Sequence, residues 1–310
     1  MAIAAVAALC VTVLASCSSG GEGDPESAST TFPADGVIGP KASSARSPSP
    51  LVDGASGFAP SGDLRVRYEV HGEGEPLVLV HGWSGNIRLN WELTGWIEAL
   101  APVWQVIAVD IRGHGDSDKP HDPEAYTYAT MATDVTAVMD HLGVERADFV
   151  GYSLGAFVGA HLLGHDADRM VSAVLMGIGD EDDESLALAP RIAAALRAPS
   201  PSEITDLEAA AYRSIVDLDP RNDREALAVA ALTMWPEGYP VELGGLGLAG
   251  IGVPVLIVNG SNDLPYARTD DALAAAIPGS QLVEIPDADH LSVMADPRFK
   301  DEVLRYFQAR

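Results

Sequence analysis

The chain has 310 residues, 47% of them hydrophobic, which is ample for one large α/β domain or two ordinary ones and excludes a disordered chain. Its 45 Asp and Glu against 19 Lys and Arg give a formal net charge of −26, so a phosphate backbone is repelled and nucleic acid is not an expected partner. The acidity reads as a solubility and environment property and says nothing about a reaction.

Both cysteines, Cys10 and Cys17, lie at the N-terminus, where Ala2 to Ala15 forms an apolar stretch like a secretory h-region. It is shorter than the roughly 20 residues that span a bilayer. Leu14-Ala15-Ser16-Cys17 resembles the lipobox of bacterial lipoproteins. That resemblance implies a signal peptide over 1–16, lipidation of Cys17, and an exported protein held at the cell membrane or envelope by its lipid alone. The alternative is an ordinary cleaved signal and a secreted soluble protein. The first basic residue is Lys41, so the positively charged segment expected ahead of an h-region is missing, which points to a start further upstream. No cysteine follows Cys17, so no disulfide framework is expected. Residues 17–60 are rich in Ser, Gly and Pro and read as a disordered tether, with folding expected to begin near Leu64.

Strand-like runs then follow at Leu64–Val70, Leu77–Val80, Gln105–Val109, Asp148–Val150, Val171–Met176, Val255–Val258 and Gln281–Ile285. Apolar residues at consecutive positions suit strands covered on both faces, hence a mostly parallel sheet. Helical patterns fall between them, at Trp91–Leu100, Ala129–Leu142, Ser153–His165, Tyr266–Ile277 and Asp296–Phe307. The expected fold class is α/β, a doubly wound sheet of about eight strands whose core takes in 61–179 and 252–310. The stretch 180–251 far exceeds the usual connection of about 2–6 residues. Helical patterns at Ser185–Leu196, Ser202–Val216 and Asp223–Met234 make it an inserted helical cap.

Gly151-Tyr152-Ser153-Leu154-Gly155 is a G-x-S-x-G sequence between the run ending at Val150 and a helix, the context of a nucleophile elbow. His81-Gly82-Trp83-Ser84-Gly85 follows Val80, and Asp110-Ile111-Arg112-Gly113-His114-Gly115-Asp116-Ser117 follows Val109. In this order the motifs resemble the alpha/beta-hydrolase superfamily, over nearly all of the chain from Leu64 onward. The resemblance implies a triad in the order serine, acid, histidine. Ser153 is the nucleophile and His290, in Asp287-Ala288-Asp289-His290-Leu291, the base, while His161 and His165 sit on the helix leaving the elbow. Asp263, in Asn259-Gly260-Ser261-Asn262-Asp263, is the favoured acid, and Asp180, which opens an acidic cluster, is the alternative.

The resemblance also places the backbone N–H groups of Trp83 and Leu154 as the oxyanion hole, with the Trp83 and Tyr152 side chains walling an acyl pocket. His81 and the Arg112–Gly115 run are scaffold. No metal or dinucleotide cofactor is implied, because neither ligand clusters at metal spacing nor a G-x-G-x-x-G after the first strand are present. The implied activity is that of a serine hydrolase cleaving a carboxylic ester of a small acyl substrate. Lactonase, C–C bond hydrolase, cofactor-free perhydrolase and a non-catalytic ligand-binding protein stay open, as does the oligomeric state. Dehalogenases and epoxide hydrolases of this fold carry Asp where this chain has Ser153.

Overall fold

Burial on both faces of one sheet organises the chain. The computed structural model describes residues 53–179, 183–234, 247–263 and 270–310, apart from the side chains of 183–186. Within Pro48–Ala309, a single compact unit, eight strands pair in the order β1-β2-β4-β3-β5-β6-β7-β8. They are β1 Ser56–Ser61, β2 Leu64–His71, β3 Glu75–Val80, β4 Trp104–Asp110, β5 Ala147–Tyr152, β6 Met170–Met176, β7 Val255–Gly260 and β8 Gln281–Ile285. β1 and β2 pair antiparallel, as do β2 and β4, and every later pairing is parallel.

The expected architecture is therefore present, with one strand more than the apolar runs marked. β1 lies in the segment read as tether, because its Ser, Gly and Pro carry no alternation of apolar residues. It is an edge strand, where Pro60 gives up no ladder bond that the sheet needs. A two-residue link, Gly62-Asp63, returns the chain so that Ser61 pairs with Leu64. The segments expected to be a signal peptide and a tether, with Cys17, fall outside the described residues up to residue 52.

Helices cover both faces. Among the described residues the α-helices are α1 Trp96–Leu100, α2 Tyr128–His141, α3 Leu154–His165, α4 Asp183–Arg197, α5 Leu207–Val216, α6 Arg224–Met234, α7 Asp270–Ala276, α8 Ser292–Ala295 and α9 Pro297–Gln308. In β3, Val78 and Val80 point into a core shared with α2, α3 and α7, while Leu77 and Leu79 point into a second core with α1 and α9. Each fully buried Val, Leu or Ile contributes about 1.5–3 kcal/mol relative to exposure, which is why these strands read as unbroken apolar runs. The helix expected over Trp91–Leu100 is split. A π-helical turn, Ile87–Glu92, is capped by Asn86, and α1 starts only at Trp96.

Between β6 and β7 the insertion forms α4, α5 and α6. Leu188, Ile192 and Leu196 of α4 pack on Val216 of α5 and on Leu227 and Ala228 of α6, a small core of their own. α5 begins later than its pattern suggested, because Asp206 accepts from the Glu208 and Ala209 N–H groups and so sets the first turn. Buried Arg213 donates to the carbonyls of Ala195, Leu196 and Ala198, satisfying the open end of α4.

Candidate active site

In a parallel sheet all strands end at the same edge, so residues just after β3, β5, β7 and β8 are gathered there whatever their separation in sequence. Trp83, Ser153, Asp263 and His290 hold those positions.

Ser153 lies between β5 and α3 with φ 51° and ψ −115°, in the left-handed region that a non-glycine residue occupies only under constraint. Its N–H donates to the Met176 carbonyl at 2.8 Å, and its carbonyl accepts from Ala156 and Phe157. The turn closes because Gly151 and Gly155 carry no side chain. A Cβ on Gly155 would overlap the Val80 carbonyl, and one on Gly151 the Gly155 carbonyl.

His290 crosses back from β8 over the ends of β7 and β6. Its Nε2 lies 3.0 Å from Ser153 Oγ, and its Nδ1 2.8 Å from Asp263 Oδ1. A carboxylate only accepts, so Nδ1 carries the proton and Nε2 is left to accept from the serine hydroxyl. Asp263 is fully buried, with 0% of its side chain exposed, and His290 retains 16%. Gly177, at φ +64°, leaves the room for this crossing, since a Cβ there would stand 3.1 Å from His290 Cε1. The other carboxylate beside the histidine, Asp289, accepts from the N–H and hydroxyl of Ser292 and caps the next turn. Asp180, the alternative acid, lies outside the described residues.

Tyr152, expected as a pocket wall, is only 5% exposed. Its hydroxyl donates to the His290 carbonyl at 2.8 Å, and its ring packs 5.2 Å from the imidazole, so it anchors the histidine loop from beneath. As a strand residue it points to one face of the sheet, here into the core shared with α1 and α9.

Trp83 is partly buried and reaches the inserted helices, its indole Nε1–H donating to the Leu227 carbonyl at 3.3 Å and its ring meeting Tyr212 edge-on. Its loop lies against the serine, since a Cβ on Gly82 would be 3.3 Å from Ser153 Cβ. Leu154 opens α3, and the first N–H groups of a helix have no intrahelical partner.

Behind this loop the motif residues form a buried frame. His81 Nδ1–H donates to the Gly82 carbonyl and its Nε2 accepts from the Ile111 N–H. Burial lowers its pKa to about 4; His114 falls to about 3, chiefly through burial and also through its neighbour His81. Arg112 forks onto Asp134 at 2.6 and 2.8 Å, and Asp110 accepts from the Ile87 and Asp116 N–H groups. These groups hold loops, as the scaffold reading expected.

Sequence reading did not single out Asn90, which accepts from the Gly82 N–H, or Asn259, which bonds both the N–H and the carbonyl of Ile178. Asn90 sits in no quoted motif, and Asn259 entered only as the first residue of the segment ending at Asp263. Among the described residues, Glu69, His71 and Glu92 bring oxygen and nitrogen atoms within 4.8 Å of one another. Glu69 is already paired with Arg67 and His71, whose bonds lower its carboxyl to about 2 against the opposing effect of burial.

The family model described as "alpha/beta hydrolase fold" matches residues 75–211. A dihydrolipoyllysine-residue acetyltransferase component of an acetoin cleaving system from Cupriavidus necator is 32% identical over 250 residues, covering 76% of this chain and 64% of that protein. The match thus spans less than two thirds of that relative. Among solved structures, a hydrolase from Pseudomonas aeruginosa has TM-score 0.68 at 27% identity, covering 83% of this chain and 99% of the other. The enol-lactonase from Burkholderia xenovorans has TM-score 0.68 at 26% identity, covering 82% and 100%. Sheet order, family match and structural neighbours agree, and the chain has the alpha/beta-hydrolase fold.

Proposed function

We propose that this protein is a serine hydrolase that cleaves a carboxylic ester through an acyl-enzyme intermediate. The observation that carries the reading is the continuous chain Ser153 Oγ, His290, Asp263, with links of 3.0 and 2.8 Å, on a constrained turn at the sheet edge. Ser153 Oγ attacks the carbonyl carbon as its proton passes to His290 Nε2, and Asp263 stabilises the imidazolium. The oxyanion is received by the N–H groups of Trp83 and Leu154, each worth about 3 kcal/mol. Collapse expels the alcohol, which takes the proton from His290. Water, deprotonated by the same nitrogen, then attacks the acyl carbon and releases the acid and free Ser153.

Similar proteins include esterases, lactonases, C–C bond hydrolases and dehalogenases, so the shared fold alone does not name the bond cleaved. Ser153 at the elbow favours acyl transfer over dehalogenation, which in this fold uses an aspartate. A fluorophosphonate probe should label the wild type and not Ser153→Ala. An unreactive wild type would sink the reading and favour a non-catalytic ligand-binding protein. A chain-length series of p-nitrophenyl esters, run beside a lactone and a C–C substrate, then identifies the acyl class.

Export and anchoring at Cys17 form part of the proposal and rest on Leu14-Ala15-Ser16-Cys17 alone. Loss of membrane partitioning in Cys17→Ser is the expected result, and unchanged partitioning would overturn it.

A further inference from the structure

The loop that carries Trp83 is held from two sides. On the core side Gly82 N–H donates to Asn90 Oδ1 at 3.1 Å, and Asn86 Oδ1 caps the following turn at the Leu89 N–H, 2.9 Å away. From the insertion, the Leu227 carbonyl accepts from the Trp83 indole N–H and the Asn222 amide donates to the Ser84 carbonyl at 3.5 Å. Asn86 Nδ2 donates to Asp219 Oδ2 at 2.8 Å.

Arg221, in the link between α5 and α6, joins these parts. Its Nε and Nη2 grip Asp219 at 3.0 and 2.7 Å, Nη2 also donates to Asn86 Oδ1 at 3.2 Å, and Nη1 reaches Asp116 at 3.1 Å on the loop after β4. One guanidinium thereby bonds the insertion, the loop after β3 and the loop after β4. A planar fork with several donors can do this, whereas a single ammonium cannot reproduce its geometry. Asn86 is fully buried and Asp219 nearly so, which shields the bond between them from competing water, while the Arg221–Asp116 bond is exposed. The loop needs such holding because Ser84 sits at φ 61°, a conformation that persists only where the surroundings enforce it.

We propose that Arg221 is a positioning residue for catalysis, clamping Asn86 and Asp219 so that the Gly82–Asn86 loop presents the Trp83 N–H to the developing oxyanion. This rests on the serine-hydrolase reading above. It makes the docked insertion a working part of the oxyanion site as well as its cover.

The test compares the full-length wild type with Arg221→Lys and with the double variant Asp219→Asn, Arg221→Gln, which leaves no unpaired buried carboxylate. Three quantities are measured: the rate of Ser153 labelling by a fluorophosphonate, kcat and KM on p-nitrophenyl acetate, and inhibition by an alkyl boronic acid that forms a tetrahedral adduct. Labelling rate and kcat should each fall about 10- to 100-fold, less than the 10²–10³ typical of deleting one oxyanion donor outright. KM should stay within about threefold, because the lost interaction belongs to the transition state. Boronic acid affinity should fall in step with kcat/KM.

Folded variants that label and turn over at the wild-type rate would overturn the assignment. So would a loss confined to KM, or loss of the fold in both variants, which would leave Arg221 a purely structural role. A wild type that neither labels nor hydrolyses would instead overturn the serine-hydrolase reading, and this inference with it.

Discussion

Asp263 and Tyr152 both act on His290, one at its ring and one at its backbone, and they should fail differently. An amide in place of Asp263 can donate to Nδ1 and so favours the wrong tautomer. On the proposed serine-hydrolase reading, Asp263→Asn should lower kcat by about 10⁴-fold with the fold intact, as such a change does in Ser-His-Asp enzymes. A loss of less than tenfold would move the acid elsewhere, with Asp180 the first to examine by the same substitution. Tyr152→Phe keeps the ring packing and deletes only the bond to the His290 carbonyl. It should cost about 1 kcal/mol in urea unfolding, and turnover should fall by no more than about fivefold. Of the pair, Asp263 was legible from its place after a strand-like run. Tyr152 was not, because an aromatic beside a nucleophile reads equally well as a pocket wall or a core residue until its burial is known.

At the scale of the element, the strand-turn-helix unit around Ser153 depends on contacts that no side chain fits. Gly155→Ala drives a methyl into the Val80 carbonyl at the centre of the sheet, where backbone on both sides is fixed by pairing. The variant should lose about 3 kcal/mol or more and express largely insoluble, whereas Gly250→Ala, with open space around it, should keep the wild-type melting temperature. Equal behaviour of the two would refute the close-approach argument. The seven apolar runs were legible because burial on two faces leaves an unbroken local signature, whereas the helix expected over Trp91–Leu100 is split. β1 was not, since an edge strand of Ser, Gly and Pro earns its place through pairing with β2. The start of α5 shifted for a similar reason, the decision resting with one capping aspartate.

The molecule as a whole should lose stability in mild acid through its buried histidines. His81 and His114 have folded pKa values of about 4 and about 3 against an ordinary 6.5, so between those limits the unfolded chain binds protons that the folded one refuses. Their contribution is complete above about pH 6.5 and declines as pH falls toward 4. Asp110 works in the opposite sense. Burial raises its pKa to about 6 against the opposing bonds from Asp116 and Ile87, so the folded form takes up that proton first and offsets roughly one of the two. The urea midpoint of the wild type should fall from pH 7 to pH 5, and His114→Gln, which leaves one histidine against one aspartate, should flatten the decline. An unchanged slope would remove His114 from the account.

Read from the residues alone, the chain already declared a mostly parallel α/β sheet and a serine on a strand-to-helix turn, while the acid and the histidine were what the family resemblance implied. These depend on short-range patterns: apolar periodicity, glycines at fixed offsets, residues just past strand ends. Only the tertiary structure decided that Tyr152 supports the histidine loop, that Ser56–Ser61 joins the sheet, and that Arg221 ties the insertion to the Trp83 loop. Those depend on bonds between residues up to 138 positions apart, and such distant partners leave no periodic mark along the chain.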